Sequence, residues 1–207
     1  MYSKRIRELA KLIDKDSVVL DVGTDHAYLP ILLMDKRIVK KVYAADISKN
    51  ALDIAKKNIE KTTYDIKTIL SDGLKGVKVK YDTLVIAGMG YSTIKGILSV
   101  DNLPNTILLQ TNSDHYLMRV FMNEIGYKIE KEVVFIDKKI YYVLIKYVKG
   151  VEKLKGKYLM YGKSNNREYF EYLLNREKEI LQNIPFRKKY IKLKNIIYLK
   201  SLLKENR

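Results

Sequence analysis

Alternation is the feature that most constrains this chain. Through the first 150 residues, short apolar runs rich in β-branched side chains are each followed by a segment whose apolar residues recur at helical spacing. Runs at 17–22, 41–46, 65–70, 83–87 and 106–110 read as buried strands. Helices are expected over 26–36, 48–62, 91–99 and 114–125, and a first helix capped by Ser3 carries Ile6, Leu9, Ala10 and Ile13 on one face. Two more β-rich segments, 128–136 and 140–146, flank Asp137-Lys138-Lys139 and read as an antiparallel hairpin. Parallel strands require crossover connections, and these turn right-handed. The pattern therefore predicts an α/β fold, a doubly wound and mostly parallel seven-stranded sheet closed by an antiparallel pair.

In such a sheet, ligands bind outside the carboxyl ends of the strands, so the residues that end each run carry the functional information. Asp21-Val22-Gly23-Thr24-Asp25-His26-Ala27-Tyr28-Leu29-Pro30 leaves the first strand through a turn with one glycine and two carboxylates. Gly23 allows a ligand to approach bare backbone, and Asp21 can accept hydrogen bonds or balance a positive group. Taken alone, D-x-G is also an ordinary strand exit. Asp46 closes the second strand 25 positions later, beside the first, where a carboxylate accepts both hydroxyls of a ribose. A dinucleotide site would need G-x-G-x-x-G to seat a pyrophosphate, but Asp25 stands where that phosphate would lie and like charges repel. Adenosine bearing a cationic sulfonium suits the turn better.

Three further strand exits fit such a ligand. Ser71-Asp72-Gly73-Leu74 can cradle adenine, Asp72 accepting from the exocyclic amine, though it also reads as a plain turn. Ala87-Gly88-Met89-Gly90 either borders the meeting point of donor and acceptor with bare backbone or is a tight turn with Met89 in the core. Gln110-Thr111-Asn112-Ser113 offers amides to a base edge, while Asn112 or Ser113 equally reads as a helix N-cap. Asp25 has the same ambiguity, and His26 can be a first-turn structural residue. His115 reads as surface or packing, and Tyr141-Tyr142 as one ring to the core and one to solvent.

With 47% hydrophobic residues, 207 residues suffice for a full core. Zero cysteines exclude disulfides and thiolate chemistry, and two histidines leave little for a transition metal, so no metal is expected. No apolar run approaches a membrane span and no signal-type stretch follows Met1, which predicts a cytoplasmic protein; a monomer is the separate expectation for its oligomeric state. The net charge of +16 points to a polyanionic partner, although only eight of the 40 basic residues are arginine and lysine-biased composition gives a similar surface. Residues 151–207 carry fifteen basic and six acidic residues, more than half of the excess. Their apolar positions predict two helices, one after an Asn165–Glu168 capping box and one after Pro185, joined as a basic hairpin. That hairpin either reaches out to nucleic acid, packs flat on the sheet or forms a dimer contact. Residues 1–150 and 151–207 are the expected catalytic and accessory units.

In their order and spacing, D-V-G-T-D-H-A-Y-L-P, A-G-M-G and Q-T-N resemble the bacterial tRNA (adenine-22-N1)-methyltransferases, the TrmK family, over most of residues 3–148. Members usually show A-G-M-G-G and Q-P-N, where this chain has Tyr91 and Thr111. The resemblance implies a class I, Rossmann-like methyltransferase fold, methyl transfer from S-adenosylmethionine to N1 of a tRNA adenine, and tRNA as partner. It implies cofactor binding by Asp21, Gly23, Asp46, Ile47, Ser71, Asp72, Gly73, Ala87, Gly88 and Met89. Asp25, His26, Gln110 and Asn112 are its acceptor-side, catalytic candidates. A class I methyltransferase with another acceptor and a non-catalytic RNA-binding scaffold are the rival readings; A-G-M-G in place of [DN]-P-P-[YF] disfavours an exocyclic-amine enzyme.

Overall fold

The computed structural model describes residues 2–206. Helix α1 (Lys4–Ala10) precedes β1 (Val18–Val22), α2 (Tyr28–Asp35), β2 (Lys41–Asp46), α3 (Lys49–Ile59) and β3 (Lys67–Leu70). Then come β4 (Thr83–Met89), α4 (Tyr91–Leu98), β5 (Thr106–Thr111), α5 (His115–Glu124), β6 (Tyr127–Asp137) and β7 (Ile140–Lys149). Three helices, α6 (Gly156–Tyr161), α7 (Arg167–Asn183) and α8 (Phe186–Glu205), complete the chain. One sheet forms in the order β3-β2-β1-β4-β5-β7-β6. Strands β1 to β5 pair in parallel, and β7 runs antiparallel to both β5 and β6. The strand order reverses between β1 and β4, which opens a crevice above their carboxyl ends.

Strand periodicity distributes the core between two faces. Val19, Val42, Ala44, Val85 and Leu108 face α1, α2 and α3, whereas Leu20, Val22, Leu84, Ile86 and Ile107 face α4 and α5. Both sets are almost fully buried, as runs apolar on both faces require. Among the described residues, no helix is long and apolar enough to cross a membrane.

Several boundaries shift for local reasons. Helix α2 starts at Tyr28 rather than 26, because Asp25 and Ala27 take left-handed backbone (φ 53° and 56°), so Asp25 is not its N-cap. Strand β4 runs past Ala87 to Met89 with a register shift around Gly88, a bulge that re-aims its end. The N-cap of α7 is Asn166, whose side chain accepts from Tyr169 N (2.9 Å), so the expected Asn165–Glu168 box does not form. Helix α5 has Asp114 at its N-cap in a left-handed conformation, which removes Asn112 and Ser113 from that role. Tyr141 packs on Tyr169 and Tyr172 while Tyr142 stacks on Phe135, so both rings find partners on opposite faces and neither is given to solvent alone.

The helical hairpin forms, and its base is part of the main core. Phe170, Leu174, Ile196, Leu199 and Leu202 bury into the same cluster as Val134, Val143 and Ile145 of the sheet. Phe170 and Leu199 are 0% exposed, and each such side chain contributes about 2–3 kcal/mol of burial. The far half of α8 is different, with Phe186, Tyr190 and Ile191 exposed. A buried ion pair fastens the base: Arg119 Nη2 lies 2.6 Å from Glu132 Oε1, at 1% and 0% side-chain exposure. Arg119 also donates to Met160 O, and Glu132 accepts from Lys163 N. Gly162 adopts φ 84°, and a Cβ there would come within 2.1 Å of Glu132. That position requires glycine.

Candidate functional site: the crevice above β1, β2 and β4

The turn after β1 is folded back onto strand carboxylates. Thr24 Oγ1 donates to Asp21 Oδ2 (2.8 Å), and Asp25 N donates to Asp46 Oδ2 (3.1 Å), while Asp46 Oδ1 accepts from Ser48 N (2.9 Å). Asp46 thus ties two loops together and keeps lone pairs free for a ribose. Asp21 is buried, and burial together with the nearby Asp46 raises its carboxyl from 3.8 to about 7 against the opposing effects of Thr24 and Arg5. Gly23 is required by its left-handed backbone (φ 77°), and the terminal methyl of Met89 occupies the place where its Cβ would stand.

Two adjoining cavities flank Gly23. The first, about 760 Å³, is lined by Asp46, Ile47, Ser71, Asp72, Gly73, Gly88 and Met89 among others. Its residues come from the ends of β2, β3 and β4 and from the face of α4. Asp72 pairs with Lys75 (2.6 Å) at its rim, and Ser71 Oγ donates to Gly73 O. Gly73 makes room for Ile97 of α4, which a Cβ would meet at 2.9 Å. The second cavity, about 740 Å³, holds Asp21, Thr24, His26 and Tyr28 beneath α1. Arg5, Gly23, Asp25 and Ala87 line both. Asp25 is exposed at this shared border, its Oδ2 lying 3.4 Å from His26 Nε2. His26 Nδ1 is buried with no hydrogen-bond partner among the described residues.

The predicted acceptor-side set is divided. Gln110 and Asn112 come together but line neither cavity: Gln110 Nε2 donates to Asn112 Oδ1 (2.9 Å), and Asn112 Nδ2 donates to Gly88 O (2.7 Å). Gln110 is 2% exposed, so its amide braces the β4 bulge instead of reading a base edge. His115 is largely buried and, through burial and Arg119, lowered to about 4, which keeps it neutral in a packing role. Thr111 Oγ1 donates to Ser113 O (2.7 Å) and holds the same loop.

Arg5, set between the basic residues Lys4 and Arg7 on α1, is a site residue that the strand-end motifs did not reveal. Lys4 does turn outward, donating to Ile136 O, and Arg7 donates to Tyr2 O. Arg5 instead points inward, its Nη1 3.4 Å from Gln110 Oε1 and 2.9 Å from where a Cβ of Gly88 would stand. One signal was available, since Ser3 capping fixes the phase of α1 and opposes residue 5 to residues 4 and 7.

A cradle built of bare glycine backbone, a buried acid and a ribose-side carboxylate fits an adenosine carrying a cationic amino-acid tail. Residues 2–145 match the family model described as a methyltransferase domain. M. capricolum TrmK, solved with S-adenosyl-homocysteine, is 31% identical with a TM-score of 0.88, each chain covered over 100% of its length. The chain belongs to the TrmK methyltransferase family. Another TrmK relative, the tRNA (adenine(22)-N(1))-methyltransferase of Bacillus subtilis, is 32% identical over 151 residues. That match covers 69% of this chain and 63% of the relative, so the chain spans a little under two thirds of it. A putative tRNA (m1A22) methyltransferase of Streptococcus pneumoniae, solved with S-adenosyl-L-methionine, is 25% identical with a TM-score of 0.84, covering 98% of this chain and 100% of that one. Full-length likeness to TrmK extends to the helical hairpin, which lies beyond the matched methyltransferase domain.

Proposed function

We propose that this protein transfers a methyl group from S-adenosylmethionine to N1 of an adenine in tRNA, at position 22. The observation that carries the reading is the junction of two cavities across Gly23, Asp25 and Ala87, within a chain similar to TrmK along its whole length. Asp46 would hold the ribose, while Ser71, Asp72, Gly73 and Ile47 would surround the adenine of the cofactor. Asp21, Gly23, Ala87, Gly88 and Met89 would border its methionyl part. When bound, the cofactor supplies an electrophilic methyl group on a sulfonium.

N1 lies on the Watson–Crick edge, so the target adenine must leave its stack before reaching the shared border. Its N1 lone pair would then form the bond to the methyl carbon as that carbon's bond to sulfur breaks, the electron pair leaving with sulfur as a neutral thioether and positive charge growing on the purine. Asp25 is exposed at that border and answers the charge with its carboxylate, which also accepts from the N6 amine. His26 packs at 5.3 Å against Tyr28 beside the same position and orients Asp25. Gln110 and Asn112 act as positioning residues by bracing Gly88. The hairpin of residues 151–207 serves as the tRNA-binding unit: Arg187, Lys188, Lys189 and Lys194 follow the backbone, and exposed Phe186 and Tyr190 stand among them to stack on bases. The protein works in the cytoplasm as a monomer.

Incubating the full chain with labelled S-adenosylmethionine and unmodified tRNA, followed by nucleoside analysis, tests the reading. Label in 1-methyladenosine is expected, and it should vanish when adenosine 22 is replaced by guanosine. Label in any other nucleoside, or none, would overturn it.

A further inference from the structure

We infer that the β6–β7 turn is a second tRNA contact, in which Lys138 and Lys139 hold phosphates of the RNA strand that carries the target nucleotide, beside the cavity beneath α1. The inference rests on the proposed substrate and adds a surface of the sheet domain to the helical hairpin already assigned to it.

Position is the first support. Strand β6 runs parallel to β5, because β7 is antiparallel to both. The turn that ends β6 therefore stands on the same edge of the sheet as the carboxyl ends of β1, β2 and β4. Side chains alternate along the pair, so its two faces meet different neighbours. On one face Phe135 and Tyr142 stack at 5.4 Å, and Lys4 Nζ lies 5.7 Å from the centre of the Phe135 ring and donates to Ile136 O at 2.8 Å. Lys4 is next in sequence to Ser3 and Arg5, which line the cavity beneath α1. On the other face Tyr141 packs on Tyr169 and Tyr172 of α7. The turn thus bridges the base of the helical hairpin and the side of that cavity.

The chemistry of the turn is the second support. Asp137 pairs with Ile140 across a two-residue loop, and Lys138 and Lys139 take φ 47° and 66°. Positive φ at both central positions is type I′ geometry, which Asn-Gly adopts with little strain and a lysine pair does not. Two lysines therefore stand where the backbone disfavours them. Both are exposed, and neither forms a salt bridge among the described residues. Ile136 and Ile140 flank them at 41% and 56% exposure. Two unpaired ammonium groups between exposed apolar side chains suit a phosphate backbone whose bases turn toward the protein. Lysines that only guard the edge strand β6 against stray pairing are the competing explanation.

Lys138→Asn combined with Lys139→Gly removes both charges while installing the dipeptide that the turn prefers, so the urea midpoint should equal or exceed that of wild type. In the full-length protein, tRNA affinity should fall on the order of 10-fold and the slope of log K against log salt should flatten by about 1–2. Affinity for S-adenosyl-homocysteine in calorimetry should not change. Lys138→Arg combined with Lys139→Arg keeps the charges and should keep wild-type tRNA affinity. Hydroxyl-radical footprinting locates the contact: the charge-free variant should lose protection only of the backbone flanking adenosine 22. Unchanged tRNA affinity overturns the inference and leaves the lysines as guards of a sheet edge. Protection lost elsewhere on the tRNA, or an equal loss of affinity in the arginine variant, overturns it as well. If wild type itself binds no tRNA, the proposed function fails and takes this inference with it.

Discussion

Replacing Asp21 with asparagine separates what the buried acid does for binding from what it does to the fold. The amide would keep an acceptor for Thr24 Oγ1 and lose the charge. Moving a carboxyl from 3.8 to about 7 corresponds to about 4 kcal/mol of unfavourable ionisation in the folded state. The folded value lies above the unfolded one, so the native form holds its proton longer. Native stability therefore falls as pH rises from about 4 to about 7 and levels off above that. Asp21→Asn lacks this penalty. Urea denaturation should show its stability relative to wild type growing over that interval by up to about 4 kcal/mol, then staying constant. Ligand binding should move the opposite way. The ammonium group of the ligand's amino-acid head selects ionised Asp21, so wild-type affinity for S-adenosyl-homocysteine should climb up to about tenfold per pH unit below about 7. The variant should bind more weakly and without that slope. A stability difference that ignores pH, or parallel affinity profiles, would refute the assignment of a strained, ligand-facing acid.

Other substitutions test separate parts of the structure. Asp25→Ala should leave cofactor affinity within a small factor and cut single-turnover methylation on the order of 100-fold, the scale of a key electrostatic group; turnover near wild type would remove Asp25 from the chemistry. Changing Arg187, Lys188, Lys189 and Lys194 to glutamine should weaken tRNA binding and flatten the dependence of log K on log salt by about 3, with S-adenosyl-homocysteine affinity unchanged in calorimetry. Whole-hairpin deletion is the wrong experiment, because Phe170, Leu199 and Leu202 belong to the main core. Arg119→Met should cost about 3–5 kcal/mol in urea unfolding by stranding buried Glu132, and the double change with Glu132→Met should recover most of it.

Family, fold class and many of the residues that line the crevice were legible because their determinants are local. Period-two burial makes each strand choose a face, and a short apolar run ending in Asp-x-Gly forces carboxylates and bare backbone to the same end of a parallel sheet. That is why Asp21, Gly23, Asp46, Asp72 and Gly88 could be singled out by position along the chain. Contacts between distant segments were not legible. Gly88 was read as bare backbone beside a ligand and does line the first cavity, but that Arg5, 83 positions earlier, stands where its Cβ would be could not be read from the chain. Asp25 was open to a cap reading until the left-handed Ala27 moved the helix start beyond it.

The same division explains the hairpin. Its two helices follow from spacing, a proline break and charge within the segment itself. That its base is locked to the sheet depends on Arg119 of α5, Glu132 of β6 and the backbone of Gly162 at the end of α6 meeting in space. Periodicity and strand-end chemistry are properties of neighbours in sequence, so the chain alone decided the scaffold and the rim of its crevice. Which cation faces Asp21, which amides brace the bulge and where the hairpin pivots are properties of neighbours in space, and only packing of the whole molecule decided them.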